Sequence, residues 1–206
     1  IPMLPEVLSN DLCSLRPNED RLAFSMVFEI KTDGHVENEW YGQTIIHSDK
    51  RFSYEEAQEV IDTQSGDHLE ALNTMMSLGR LFRKRRYKDG TIAFEQPEVK
   101  FVLDETGKPI DVVVKVRTET MLMIEDFMLL ANQKVPAYIA SICKKNDKDA
   151  AFIYRIHDVP NPDRIEELSL FIHALGYEFE TNNGEVTSQD INKLLTEIVG
   201  KPEENL

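Results

Sequence analysis

The sequence predicts an α+β fold in which antiparallel β-hairpins pack with several helices. Three observations point there. Two β-rich stretches are each broken by a short Gly-bearing turn, apolar residues recur at helical spacing between and after them, and capping residues stand where the helical runs begin. At 206 residues the chain is long enough for one substantial domain with its own core, or for most of a larger one.

The first hairpin follows from Phe24, Met26, Phe28 and Ile30, which alternate with Ala23, Ser25, Val27 and Glu29 ahead of Asp33-Gly34 and a second β-rich run from Val36 to Ile46. Asp-Gly favours such a turn because both residues tolerate positive φ. Ser53-Tyr54-Glu55-Glu56 then offers a capping box, with Ser53 as cap and Glu56 reaching back, before Ala57, Val60 and Ile61 on one face. A short helix is expected to begin at Ser53. After the break at Ser65-Gly66-Asp67, Leu69, Leu72, Met76 and Leu81 or Phe82 keep helical spacing until Asp89-Gly90, and the last turns of this helix are densely basic.

A second hairpin is expected from Val99 to Leu103, the turn Asp104-Glu105-Thr106-Gly107, and Ile110 to Val116. Val112, Val114 and Val116 alternate with Val113 and Lys115, so both faces are expected to be at least partly covered. From about Thr118 to Lys145 the chain reads as a long helix, apolar through Met121, Ile124, Phe127, Met128 and Ala131. It is a candidate for a central buried helix, with Pro136 expected to kink or divide it. Ala151 to Ile156 reads as strand. Asn161-Pro162 supplies a cap and a first-position proline for a helix carrying Ile165, Leu168, Ile172 and Leu175 and ended by Gly176. A last helix, capped near Ser188, turns Ile191, Leu194, Leu195 and Ile198 inward and stops at Gly200 before Pro202. No repeat, low-complexity tract or flexible linker marks an internal domain boundary.

Composition narrows the function classes. With 41% hydrophobic and 29% charged residues the chain belongs with folded proteins rather than disordered or fibrous ones. No apolar run approaches the roughly 20 residues of a membrane helix. The start Ile1-Pro2-Met3-Leu4-Pro5 has neither an initiator methionine nor the features of a secretory signal, and it reads as the interior of something longer. Cys13 and Cys143 are far apart and lack CxxC or Cys/His spacing, which suggests reduced structural thiols in a cytoplasmic protein rather than a disulfide framework or a zinc site. A formal charge of −14 argues against a protein that coats nucleic acid non-specifically, so any RNA contact must be local.

Taken bare, the residues offer no catalytic constellation: no phosphate-cradling Gly-rich loop and no HExxH helix. His35, His47, His68, His157 and His173 are scattered, and Asp147 and Asp149 sit in a polar turn among Lys144, Lys145 and Lys148, where both read as solvated. Arg80, Arg83, Lys84, Arg85, Arg86 and Lys88 form a concentrated positive patch on an acidic chain. Two readings stay open for it: cations complementing a helix C-terminus, or a contact for RNA phosphates. Tyr87 lies within the patch and Phe94 past the turn; each could stack a base, though Phe94 taken alone reads first as a core aromatic.

Several well-separated blocks carry a resemblance. They are the opening run Ile1 to Leu22, Ile45-Ile46-His47-Ser48-Asp49-Lys50-Arg51-Phe52-Ser53-Tyr54, Gly90-Thr91-Ile92-Ala93-Phe94, Ile124-Glu125-Asp126-Phe127-Met128-Leu129-Leu130-Ala131-Asn132, and Tyr154-Arg155-Ile156-His157-Asp158-Val159-Pro160. In this order they resemble the central part of the RNB-type catalytic domain of the ribonuclease II and ribonuclease R family, most closely its ribonuclease R branch, across essentially all of residues 1–206. The resemblance implies a parent that degrades single-stranded RNA processively from the 3′ end to nucleoside 5′-monophosphates, using magnesium held by an aspartate cluster in two-metal chemistry.

It also implies roles for individual residues. Phe94 would clamp the stacked 3′-terminal bases, while Tyr54 and Glu125 would position the terminal nucleotide and sense its ribose 2′-hydroxyl. Arg83 and Arg86 are candidate RNA contacts on the charge of the basic run, not on the resemblance. A carboxylate suits hydroxyl recognition because it accepts strongly, and on an apolar helix it would be costly to bury unpaired. Whether Glu125 or its neighbour Asp126 faces the site is open from periodicity. The family's aspartate pattern, Asp-x-x-x-Ala-x-Asp-x-Asp-Asp, and its Ser-Pro-Ile-Arg block do not occur in the sequence. No catalytic residue and no metal ligand is therefore expected within this stretch, and the chain alone is expected not to cleave RNA. Two rival expectations are a non-catalytic RNA-binding domain of degenerate RNB type and an acidic interaction domain unconnected to RNA.

Overall fold

The computed structural model describes residues 3–92, 98–146, 152–179 and 186–202, which cluster into two compact units. The first comprises residues 1–82 and 117–133, the second 83–116 and 134–206.

The first unit opens with a π-helical turn, Val7–Leu12. It is tied to the following strand by Arg16, which pairs with Asp11 at 2.8 Å, and by Arg21, whose guanidinium donates to the Asp11 carbonyl at 3.2 Å. Strands β1 (Asp20–Ile30) and β2 (Val36–His47) form an antiparallel hairpin with a bulge at Glu29/Ile30. Asp33 closes the turn by accepting from the His35 amide at 2.8 Å, and Gly34 takes the positive φ of 80° that the turn demands. On one face Ser25 and Thr44 share a 2.6 Å hydrogen bond, and the Trp40 ring lies across Gly42, where a Cβ would come within 2.5 Å of it. On the other face Leu22, Phe24, Met26 and Ile45 are exposed.

Helix α1 (Tyr54–Thr63) starts as expected. The Ser53 hydroxyl accepts from the Glu56 amide and the Glu56 carboxylate accepts from the Ser53 amide, a complete capping box. Helices α2 (Leu69–Lys88) and α3 (Glu119–Asn146) follow. In the first unit Leu72 and Met76 of α2 pack with Ala57 of α1 and Met123 of α3 as the core. Gly79 sits at the crossing of α2 and α3, where an added Cβ would lie 3.3 Å from the Asp126 carboxylate and 3.5 Å from Met123 Cα. Phe82 is the buried member of the Leu81/Phe82 pair and meets Phe127 edge to face at 5.5 Å. Thr118 caps α3, its hydroxyl accepting from the Met121 amide at 3.4 Å.

Helix α3 runs unbroken through Pro136, which rules out the division and leaves the kink as the alternative. The expectation of a central buried helix is corrected. Its fully buried positions are Thr120, Met123 and Asp126, one stripe at three-residue spacing, while Met128 is 59% exposed. It is buried along a stripe rather than all round, because α1 and α2 cover the face that carries these residues.

In the second unit β3 (Glu98–Leu103) and β4 (Pro109–Lys115) form the second antiparallel hairpin. Its turn is organised by Asp104, whose Oδ1 accepts from the Thr106 hydroxyl and from the Thr106 and Lys108 amides; these bonds, that from the Thr106 hydroxyl foremost, hold its carboxyl below the usual range. The expected cover is not there: Val99, Phe101, Val112, Val113 and Val114 are all exposed, so apolar side chains stand open on both faces. The expected strand at 151–156 is also corrected, since residues 152–156 are irregular and Ile153 and Ile156 are exposed. A strand needs a ladder partner, and none pairs with them among the described residues.

Helix α4 (Pro162–Ala174) has Asn161 as its cap, accepting from the Asp163 amide at 2.9 Å, and buries Ile165 and Ile172. Phe179 is 2% exposed and returns onto α4, its carbonyl accepting from Ser169 and its amide donating to His173 Nε2. Helix α5 (Ser188–Ile198) is capped by Thr187 with Asp190 as the reciprocal partner, one residue before the expected cap, and Gly200 ends it at φ 75°. Among the described residues no helix is long and apolar enough to cross a membrane. Cys13 and Cys143 are free thiols.

Candidate functional site

In the first unit, hydrogen bonds bind the start of α1 to the start of α3. The Tyr54 carbonyl accepts from the Thr120 hydroxyl at 3.1 Å, and the Thr120 amide donates to Gln58 Oε1 at 3.2 Å. Thr120 is 1% exposed, so these bonds are shielded from water and hold the two helix ends in register. Tyr54 itself, the first residue of α1, is 44% exposed. An aromatic held by its backbone and open to solvent is equipped to pack against a ligand.

Further along α3 the two adjacent carboxylates part company. Asp126 is 1% exposed and faces the α2 crossing at Gly79, whereas Glu125 is exposed and forms an ion pair with Arg117. At Gly79 the two helices pass so closely that an added Cβ would press on the Asp126 carboxylate, which would have to give by a few tenths of an ångström. Glu125 is therefore the solvent-facing carboxylate, and its second oxygen makes no bond among the described residues. Arg117 escaped the sequence reading because it precedes the first turn of α3 and shares no helical face with Glu125.

The basic run divides between the two units. Arg80 lies in the first, where it pairs with Glu119 at 3.0 Å, which commits it to a structural partner. Arg83, Lys84, Arg85, Arg86 and Lys88 belong to the second. Arg83 and Arg86 are half-buried and each holds a partner, while Lys84, Arg85 and Lys88 are exposed. The structure thus brings Tyr54 and Glu125 into one unit and leaves Arg83 and Arg86 in the other; Phe94, Asp147 and Asp149 lie outside the described residues.

Among the described residues no group of three or more His, Cys, Asp or Glu side chains could hold a metal ion.

A family model described as RNB domain matches residues 1–206. Ribonuclease R of Aquifex aeolicus is 32% identical over 99% of the chain and 29% of its own length. A protein of Arabidopsis thaliana named inactive exonuclease DIS3L2 is 29% identical over 94% of the chain and 19% of its own length. Among solved structures, Mycoplasma genitalium RNase R in complex with ribose methylated single-stranded RNA superposes with a TM-score of 0.85 at 28% identity, covering 99% of the chain and 32% of that protein. The chain spans less than a third of the length of each of these proteins.

Proposed function

The chain belongs to the RNB domain family, and from that premise we propose that it is the central section of the catalytic domain of a 3′-to-5′ exoribonuclease of ribonuclease R type. The observation that carries this reading is the extent of the match, which runs from residue 1 to residue 206. In this reading the parent hydrolyses single-stranded RNA processively with magnesium in the cytoplasm, and the present stretch supplies channel wall rather than metal ligands. The absence of the aspartate pattern from the sequence supports inactivity of these residues on their own.

Tyr54 and Glu125 are proposed to hold the 3′-terminal nucleotide. Glu125 suits the ribose 2′-hydroxyl because it is exposed and its second oxygen can accept a hydrogen bond. Arg117 fixes the orientation of that carboxylate through its ion pair. Phe94 is proposed as the base clamp, with Arg83 and Arg86 as contacts for RNA.

The test is hydrolysis of a 5′-labelled single-stranded RNA with magnesium, by this chain and by a version extended in both directions along its own gene. The extended protein is expected to shorten the RNA from its 3′ end while residues 1–206 leave it intact. Cutting by neither protein, with the extended one folded, favours the second reading: a non-catalytic RNA-binding domain of degenerate RNB type. That reading has its own support in the inactive Arabidopsis relative.

A further inference from the structure

Within the second unit, Lys84, Tyr87 and Lys88 stand at three- and four-residue spacing on α2 and so share one helix face. Both lysines are exposed, neither has an ion-pair partner among the described residues, and Tyr87 is 46% exposed. Beside Tyr87 opens a cavity of about 450 Å³, completed by Thr91, by Asn192, Leu195 and Thr196 on one face of α5, and by Val199 just past its end.

Local geometry builds this juxtaposition. Gly90 ends α2 at φ 97°, and a Cβ there would come 2.9 Å from Ser188 Oγ, so glycine permits the end of α2 to approach the start of α5. Asn192 Nδ2 then donates to the Thr91 carbonyl at 2.9 Å and pins the two elements together.

We propose that this face is a further contact for single-stranded RNA, in which Tyr87 stacks one base at the mouth of the cavity and Lys84 and Lys88 hold the neighbouring phosphates. The division of chemistry matches a nucleotide. Leu195 and Val199 offer apolar surface to a planar base, the Thr91 and Thr196 hydroxyls offer polar groups to its edge, and the cations stand outside on the helix face. Complementing the helix dipole would account for the lysines but not for an exposed aromatic residue between them. An acidic peptide would match the lysines and leave the uncharged cavity unused. The proposal rests on the RNA reading given above.

The test is binding of a labelled single-stranded oligoribonucleotide to the full chain in metal-free buffer, so that hydrolysis plays no part. Tyr87→Ala is expected to weaken binding about 5- to 150-fold, the range that base stacking on an aromatic supports. Tyr87→Phe should keep near-normal affinity, and the Tyr87→Ala loss should vanish on an abasic strand. Replacing Lys84 and Lys88 by Ala should reduce the slope of log affinity against log salt by about 1.4. Circular dichroism of each variant checks that α2 and α5 persist. The proposal is overturned if the unmodified chain binds RNA and Tyr87→Ala binds it equally well, or if a polyglutamate peptide displaces RNA from Tyr87→Phe as readily as RNA itself does. If the unmodified chain binds no RNA at all, the broader RNA reading of this stretch falls and this contact falls with it.

Discussion

In the first unit Ala57, Leu72, Met76 and Met123 are at most 7% exposed; in the second, Val99, Phe101, Val112 and Val114 of the β3–β4 hairpin are all more than half exposed. The residue types are alike and the outcomes opposite. Each helix has one apolar stripe, and three helices can cover one another's stripes within the chain. A hairpin has two faces, and its alternation says which side chains share a face without saying what lies over either. The largest expected effect exploits this contrast. Phe82→Ala, which empties a buried site beside Phe127, is expected to cost about 3–5 kcal/mol, whereas Val114→Ala should fall within about 0.5 kcal/mol, both read from urea denaturation. Equal losses would mean that the hairpin is covered in solution, and the comparison would break.

A sharper version of the same contrast lies within one dipeptide. Asp126→Ala removes a carboxylate that is 1% exposed together with the interaction it makes there, at an expected cost of about 1–3 kcal/mol. Glu125→Ala removes an exposed ion pair with Arg117, worth about 0–1 kcal/mol. The functional ranking should be reversed. Glu125→Gln is expected to narrow the preference for a 3′-terminal ribose over a 2′-deoxyribose in a binding competition, because the amide is a weaker acceptor for the hydroxyl. An unchanged preference would remove Glu125 from ribose recognition.

What the sequence made legible was local. The Ser53–Glu56 box, the Asn161-Pro162 start and the two Gly-closed hairpins depend on residues within a few positions of one another, and each stands where its pattern indicates. The features that were not legible depend on remote neighbours. Asp126 faces inward against α2 at Gly79, a neighbour that no periodicity within α3 records. Residues 152–156 have strand composition but no ladder partner among the described residues, and composition alone does not make a strand. For the candidate site, the sequence marked Tyr54 and Glu125 through family resemblance, while Thr120 holds Tyr54 through the packing of α1 on α3 and Arg117 holds Glu125 from the segment that enters α3.

The smallest expected effect compares the two capping boxes, one in each unit. The Ser53 amide, chiefly, holds the Glu56 carboxyl below its usual range, and the Thr187 hydroxyl, chiefly, does the same for Asp190. A carboxyl whose folded pKa is lowered stabilises the fold above its unfolded value, and the contribution is lost as pH falls through the lowered value. Both helix starts should therefore loosen on acidification from the ordinary carboxylate range downward. Their responses should differ, because α1 is anchored by buried Ala57 while α5 has no fully buried residue. Hydrogen exchange is expected to open the first turn of α5 at a higher pH than that of α1. Glu56→Gln should flatten the pH response of α1 while keeping its cap, since Gln also reaches back to the capping amide. Ser53→Ala should instead loosen α1 at every pH, by about 1 kcal/mol. If α1 opened first, burial behind the cap would not be what separates the two helices, and the difference would have to come from the caps themselves.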